Sequence, residues 1–322
     1  MAAGLDEFGL IARYLAPLAG SGGLGLLDDA ALLQPTPGFE LVLTKDMIIA
    51  GVHFLADDPP GMIAAKLLRV NLSDLAAKGA RPVAYLLGLA LPVGIDEAWI
   101  AAFSQGLAED QKTFGIELLG GDTTATIGPA VLSLTAIGEV PAGTMLRRGG
   151  ARAGDLVAVS GTIGDGMLGL EVSLGRLQGL APDDADWLRD RYLRPQPRLA
   201  LGARLRGWAT AGADVSDGLI ADLGNIARAS GLGAQLDLSR IPLSSQAVAA
   251  LALRPELVSL IPSGGDDYEL VAALAPSERA RLQAEADPPL TIIGKMVPGK
   301  AGSVTDENGQ PLGHGGYRHF GG

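Results

Sequence analysis

The sequence predicts two α/β domains, each a mixed sheet with its own helices, divided near residue 145. Three observations predict this. Strand-length apolar runs alternate with stretches of helical periodicity in both halves. The 322 residues, 48% of them apolar, are more than one small core requires. Pro141-Ala142-Gly143 interrupts the pattern, after which Gly154-Asp155 and a new apolar run begin it again.

The first half reads in order. Residues 7–18 carry Phe8, Ile11, Leu15 and Leu18 at helical spacing and predict a short amphipathic helix. The glycine-rich turn over residues 20–25 runs into Asp28-Asp29. Residues 41–44 predict a buried strand ending at Lys45-Asp46, and residues 62–78 a helix stopped by Gly79 and Pro82. A strand over 83–91 follows, then a helix over 96–114 with Asp96 at its N-cap. Residues 116–119 predict a strand running into the turn Gly120-Gly121-Asp122-Thr123, and 131–140 a further strand.

The second half opens with a strand over 156–160, a tight turn from Gly161 to Gly166 and a helix. Such a turn can cradle phosphate, but glycine is also the default wherever a bend needs positive φ, and we read this one as structural. Arg194-Pro195-Gln196-Pro197 breaks the chain before another helix. Asp214-Val215-Ser216-Asp217-Gly218 opens a helix through residue 229, and residues 263–269 precede a strand over 270–274.

Composition excludes several functions. The formal net charge is −11 with no block of Lys or Arg, so neither nucleic acid nor a membrane surface is an expected partner. The absence of cysteine removes disulfides, thiolate zinc, iron–sulfur clusters and cysteine nucleophiles. The longest apolar stretch, residues 83–95, is broken by Pro92 and too short for a membrane span, and the first residues lack a signal peptide's basic start. The expected location is the cytoplasm.

The chemistry is carried by aspartates. Asp29, Asp46, Asp122 and Asp214 all fall at glycine-rich turns or strand ends, where a short carboxylate can reach the rim of a sheet. Each alone is what aspartate's preference for turns would produce. Asp74 is different, because it lies inside an Ala- and Leu-rich helix on one stripe with Asn71 and Lys78. Either Asp74 pairs with Lys78 on a solvated face, or a cation or donors meet a carboxylate whose burial alone would cost several kcal/mol. Converging carboxylates without His or Cys clusters suit a hard cation such as magnesium, which takes oxygen ligands and substrate phosphates. No G-x-x-x-x-G-K-[S/T] occurs, so a bound nucleotide would be held by metals and backbone amides outside a P-loop.

An ordered set of motifs then resembles one family. Gly25-Leu26-Leu27-Asp28-Asp29, Thr44-Lys45-Asp46, Gly51-Val52-His53-Phe54 and Asn71-Leu72-Ser73-Asp74-Leu75 lie in the first half. Gly120-Gly121-Asp122-Thr123, Arg148-Gly149, Asp214-Val215-Ser216-Asp217-Gly218-Leu219, Gly264-Gly265-Asp266-Asp267-Tyr268 and the Gly316-Tyr317-Arg318-His319-Phe320 tail complete it. Together they resemble thiamine-monophosphate kinase. The resemblance implies the two-domain fold of aminoimidazole ribonucleotide synthetase, with residues 1–145 binding ATP and metal and dimerising through their sheet. Residues 146–322 would complete the active-site cleft. It implies ATP-dependent phosphorylation of thiamine monophosphate to thiamine diphosphate by a homodimer with several Mg²⁺ ions. Carried over residue by residue, Asp29, Thr44, Lys45, Asp46, Asp74, Asp122, Asp214 and Asp217 would hold metal, and Asp46, Asp74 and Asp122 would be the catalytic set. Gly121, Asp122, Arg148 and Ser216 would contact ATP; His53, Asp266 and Tyr317 would contact thiamine monophosphate.

Three positions depart from the family pattern. Leu27 stands where a glycine able to take positive φ is expected, Lys45 replaces a hydroxyl residue and keeps only its backbone oxygen as a ligand, and Asp266 is one methylene shorter than glutamate. The alternatives are another ATP-using enzyme of the same superfamily and a catalytically silent sensor of nucleotide or thiamine phosphates. Two of those related enzymes rely on a cysteine or selenocysteine, which this chain does not have.

Overall fold

A computed structural model describes residues 7–281 and 286–313. The chain forms two compact units, Met1–Leu75 with Arg81–Gly143, and Ala76–Ala80 with Thr144–Gly322.

The first unit is a four-stranded sheet with two long helices. β1 (Phe39–Ile49), β2 (Arg81–Pro92), β3 (Glu117–Thr126) and β4 (Val131–Pro141) stand in the order β1-β4-β2-β3. β2 and β3 are parallel, and the other pairs antiparallel. The helices are α2 (Pro60–Ala77) and α3 (Glu97–Phe114), following the short α1 (Glu7–Leu10). Proline opens α2, where its missing N–H costs nothing, and α2 ends before Gly79 at φ +67. Asp96 caps α3 as expected, its side chain accepting the Trp99 amide at 2.6 Å, and Gly115 ends it at φ +64. The two helices meet where Gly106 faces Gly61, with a notional Cβ only 2.4 Å from the Gly61 oxygen. A buried two-pronged ion pair, Arg69 to Asp110 at 2.7 and 2.8 Å, joins them.

The sheet has one closed and one open face. Tyr85, Leu87 and Leu89 share rows with the buried Ala136, Leu134 and Leu132 of β4, and with Thr44, Asp46 and Ile48 of β1. Hydrogen bonds from Thr44 and Asp46 to α2, and from Gln111 of α3 to Tyr85 at 3.2 Å, mark this as the helix-covered face. The other face exposes Leu43, Met47 and Leu86 at 62%, 49% and 40% of their surface.

Three sequence expectations change here. Residues 7–18 are not one regular helix: α1 gives way to a wide turn over Ile11–Leu15 and a tight one over Ala16–Leu18, where Pro17 cannot continue the α-helical ladder. β1 runs on to Ile49, because β4 pairs with it from Phe39↔Pro141 to Ile49↔Val131. Gly120-Gly121-Asp122-Thr123 is not a turn but the middle of β3. Gly121 is required by strand approach there, since a Cβ would stand 1.8 Å from the Leu87 oxygen.

The second unit is a six-stranded sheet in the order β10-β7-β9-β5-β8-β6. Its strands are β5 (Leu156–Ser160), β6 (Ala209–Asp214), β7 (Gly233–Leu236), β8 (Leu270–Leu274), β9 (Leu290–Val297) and β10 (Val304–Asp306). The helices are α4 (Asp165–Ser173), α5 (Pro182–Leu193), α6 (Leu199–Leu205), α7 (Leu219–Ala229) and α8 (Ser245–Leu253). Alternate residues bury on both faces, as strand geometry dictates. Val157, Val159, Val271 and Ala273 pack with Leu168, Leu188, Leu223 and Ala247 of α4, α5, α7 and α8. Ala158, Leu270, Ala272 and Leu274 pack with Leu201 and Leu205 of α6 and with Ala76 and Ala77. Burying both faces removes the polar–apolar alternation that would mark these strands in sequence. No helix among the described residues is long and apolar enough to cross a membrane.

Candidate active site

In the first unit Thr44 and Asp46 of β1 meet α2. From Ile63 to Ala77 every residue but Asp74 is buried. The Thr44 hydroxyl of β1 donates to the Asp74 carboxylate. One turn earlier the wholly buried Asn71 accepts the Asp46 amide at 3.1 Å and donates to the Leu67 carbonyl at 2.9 Å. Thr44 and Asp46 are two residues apart on one strand and so share the helix-covered face with Asp74. Lys78 reaches the Gly212 carbonyl at 3.2 Å, while Asp74 receives Thr44. At the end of β1, Gly51 takes φ +79 and turns the chain back, so that His53 Nδ1 accepts the Ile49 amide at 3.1 Å. A ring nitrogen that accepts carries no hydrogen, so the neutral imidazole has its proton on Nε2.

Lys45 and Asp122 face away from this group. Asp29 is exposed, its amide held by Asp28 at 2.8 Å. Leu27 takes an ordinary φ of −105, so its side chain costs the turn nothing; Leu24 and Leu26 carry the positive φ instead, at +51 and +56. Lys45 points to the open face, where its ammonium bonds Ser133. Asp122 lies in the row of Gly88, Ser133 and Met47, on the open face and the opposite edge strand from Asp46. Three strand spacings separate those edges, about 14 Å along the sheet. Within one chain Asp122 therefore does not join Asp46 and Asp74. Among the described residues no three His, Asp or Glu side chains gather closely enough to hold an ion.

In the second unit the loop after β6 is built by an acid the sequence reading missed. Asp222, buried in the first turn of α7, accepts the Ser216 and Asp217 amides, both at 3.0 Å. Burial pushes its carboxyl up to about 6, the Asp217 charge adds to this, and the two amides and Arg148 oppose it. Asp214 is buried at the end of β6, Ser216 is half-buried and Asp217 exposed. Arg148 is exposed, its carbonyl accepting the Ser230 hydroxyl at 3.4 Å. Antiparallel pairing continues beyond β6 and β8: Val215 donates to the Glu269 carbonyl at 2.8 Å, and Asp266 to the Ser216 carbonyl at 3.0 Å. Behind the loop the fully buried Glu269 accepts Ser160 at 2.6 Å, Arg191 at 2.9 Å and Arg198 Nε at 2.8 Å. Tyr317 lies outside the described residues.

Model matches and relatives add to this geometry. Residues 27–140 match the N-terminal domain of AIR synthase related proteins, and residues 152–307 the C-terminal domain. A thiamine-monophosphate kinase of Caulobacter vibrioides is 48% identical over 306 residues, covering 92% of this chain and 86% of that protein. The chain belongs to the thiamine-monophosphate kinase family. The crystal structure of thiamine-monophosphate kinase from Stenotrophomonas maltophilia superposes with a TM-score of 0.83 at 43% identity, covering 95% of this chain and 98% of that one. AaThiL complexed with AMPPCP and TMP superposes at 0.81 and 30% identity, covering 98% and 97%. Thiamine-monophosphate kinase is thus the right frame for the two-domain α/β fold expected from sequence.

The donor set fits a hard cation. Thr44, Asp46 and Asp74 offer oxygen only, and Asp74 is the one break in an otherwise buried helical run. Magnesium commonly takes one or two protein carboxylates and completes its shell with water and phosphate, so a trio of acids is not required.

Proposed function

We propose that this chain transfers the terminal phosphoryl group of ATP to a phosphate oxygen of thiamine monophosphate, releasing ADP and thiamine diphosphate. The observation that carries the reading is the oxygen group of Thr44, Asp46 and Asp74, mounted on the covered face of the first sheet in a chain with a 48%-identical kinase relative. The acceptor oxygen is already anionic at neutral pH, so no strong base is needed, and the task is to bring two polyanions together. Magnesium, when bound, would offset their repulsion and the charge that develops on the transferred group. Asp46 and Asp74 would hold it, with Thr44, the Lys45 backbone oxygen, Asp29, Asp122, Asp214 and Asp217 as further ligands.

Ser216, presented by its own amide bond to Asp222, would contact the nucleotide together with Gly121 and Asp122, and Arg148 would add a fixed positive charge. His53, with its proton on Nε2, would donate to the acceptor phosphate. Asp266 and Tyr317 would face the cationic thiamine moiety. In this reading residues 1–145 bind nucleotide and metal, residues 146–322 complete the cleft, and the enzyme works in the cytoplasm.

A homodimer is part of the proposal. The apolar open face of the first sheet, with Leu43, Met47 and Leu86, is the surface it would bury. Asp122 lies on that face, so it would serve metal only across the dimer. A coupled ADP-release assay with ATP, magnesium and thiamine monophosphate tests the function. Turnover is expected; tight binding of both ligands without ADP release would identify a sensor instead.

A further inference from the structure

The site as described gives no role to Asp267 or Tyr268, yet they lie in the most unusual backbone among the described residues of the second unit. Asp266 and Tyr268 both take left-handed φ, +69 and +51, which side chains with a Cβ resist. Between them Asp267 is buried with both oxygens engaged. The Gly164 amide donates to Oδ1 and Oδ2 at 3.0 and 2.8 Å, and the Gly166 amide to Oδ1 at 3.0 Å. These amides belong to the strand–turn–helix bend whose geometry elsewhere binds phosphate. Here the chain's own carboxylate fills it, which settles that turn as structural.

The segment is fixed from its other side as well. The Asp266 amide donates to Ser216 O at 3.0 Å and the Tyr268 amide to Val215 O at 2.8 Å. Glycines let the segments of this seam close up: a Cβ on Gly166 of α4 would stand 2.2 Å from the Asp266 carbonyl oxygen, and one on Gly265 2.5 Å from the Ser216 carbonyl oxygen. From this clamped backbone the Asp266 side chain emerges, and the Tyr268 hydroxyl donates to its Oδ1 at 3.2 Å.

We propose that Asp267 and Tyr268 are positioning residues for thiamine monophosphate. Asp267 fixes the backbone that presents Asp266, and the Tyr268 hydroxyl fixes the direction of its carboxylate. The inference rests on reading Asp266 as a substrate contact. A carboxylate one methylene shorter than glutamate has less freedom to find a cationic ring, so its direction must be set in advance.

Tyr268→Phe removes only the hydroxyl. The KM for thiamine monophosphate should rise about tenfold, the loss of one hydrogen bond to a charged group, with kcat and the KM for ATP unchanged. In an Asp266→Ala background, which removes the oxygen that Tyr268 bonds, the same change should add nothing, because Tyr268 acts through Asp266. Asp267→Asn should raise that KM and, through the Ser216 seam, the KM for ATP too. If Asp267→Asn does not fold, the Tyr268 cycle still decides. An unchanged KM in Tyr268→Phe, or an equal rise in both backgrounds, overturns the inference while leaving the kinase reading intact. A wild-type enzyme that fails to turn over thiamine monophosphate overturns both.

Discussion

Replacing Asp74 by asparagine separates the chemistry of the proposed site from its architecture. Asparagine has nearly the same volume and keeps one oxygen to accept the Thr44 hydroxyl, so the crossing of β1 and α2 survives. The expected change in unfolding free energy is within about 1 kcal/mol, the scale of one altered hydrogen bond. What disappears is the negative charge in the only part of the run from Ile63 to Ala77 that is not buried. Removing one preorganised electrostatic partner of a reacting centre typically lowers kcat by about 10²–10³, or roughly 3–4 kcal/mol of barrier. The assay is coupled ADP release at saturating ATP and thiamine monophosphate, titrated with magnesium, beside a thermal unfolding curve. A folded variant with near-normal kcat at saturating magnesium would remove Asp74 from the site and refute the argument from its placement.

Three other outcomes follow from the packing. Glu269→Ala would leave Arg191 and Arg198 facing each other without their buried carboxylate, at a cost of about 3–5 kcal/mol visible as a lower denaturant midpoint; an unchanged midpoint would show the cluster is dispensable. Gly121→Ala sets a methyl 1.8 Å from the Leu87 oxygen, so β2 and β3 should part and their amides exchange faster; unaltered protection would contradict that close approach. Asp165 is the pH-dependent case: burial raises its carboxyl above the ordinary 3.8, against hydroxyl bonds from Ser244 and Thr162. A raised native value means the folded state holds the proton more tightly than the unfolded chain, so its contribution to stability falls as pH climbs from 3.8 through the raised value. Asp165→Asn stays neutral, so its unfolding temperature should match wild type in acid and gain on it toward neutral pH. A gap independent of pH would refute the shift.

Legibility varied with how local the determining physics was. Leu156–Ser160 and Leu270–Leu274 were readable because turn residues bound them tightly, and the Asp96 cap because its partner amide is three residues away. Gly120-Gly121 misled because the reason for glycine there is a strand 34 residues distant, not a bend. β6, β7, β9 and β10 went unread: β7 and β10 are short, and a sheet buried on both faces has no alternation to detect. At the site, Asp74 announced itself as a carboxylate among Ala and Leu. Asp222 and Asp267 did not, because their partners are backbone amides and every residue type has one. Thr44 with Asp74 was expected only through family resemblance, and their direct bond, across 30 residues, needed the fold.

The separation of Asp46 from Asp122 bears on inheritance and on mixtures. In the dimer proposed above, each catalytic centre would draw one acid from either subunit, so a chain lacking Asp46 and a chain lacking Asp122 would each be inert alone. Combined in one pair, they would assemble one centre from their two intact acids and concentrate both lesions in the other. Co-expression of two dead alleles would thus revive activity, and a defective chain paired with an intact one would still leave one of the two centres working.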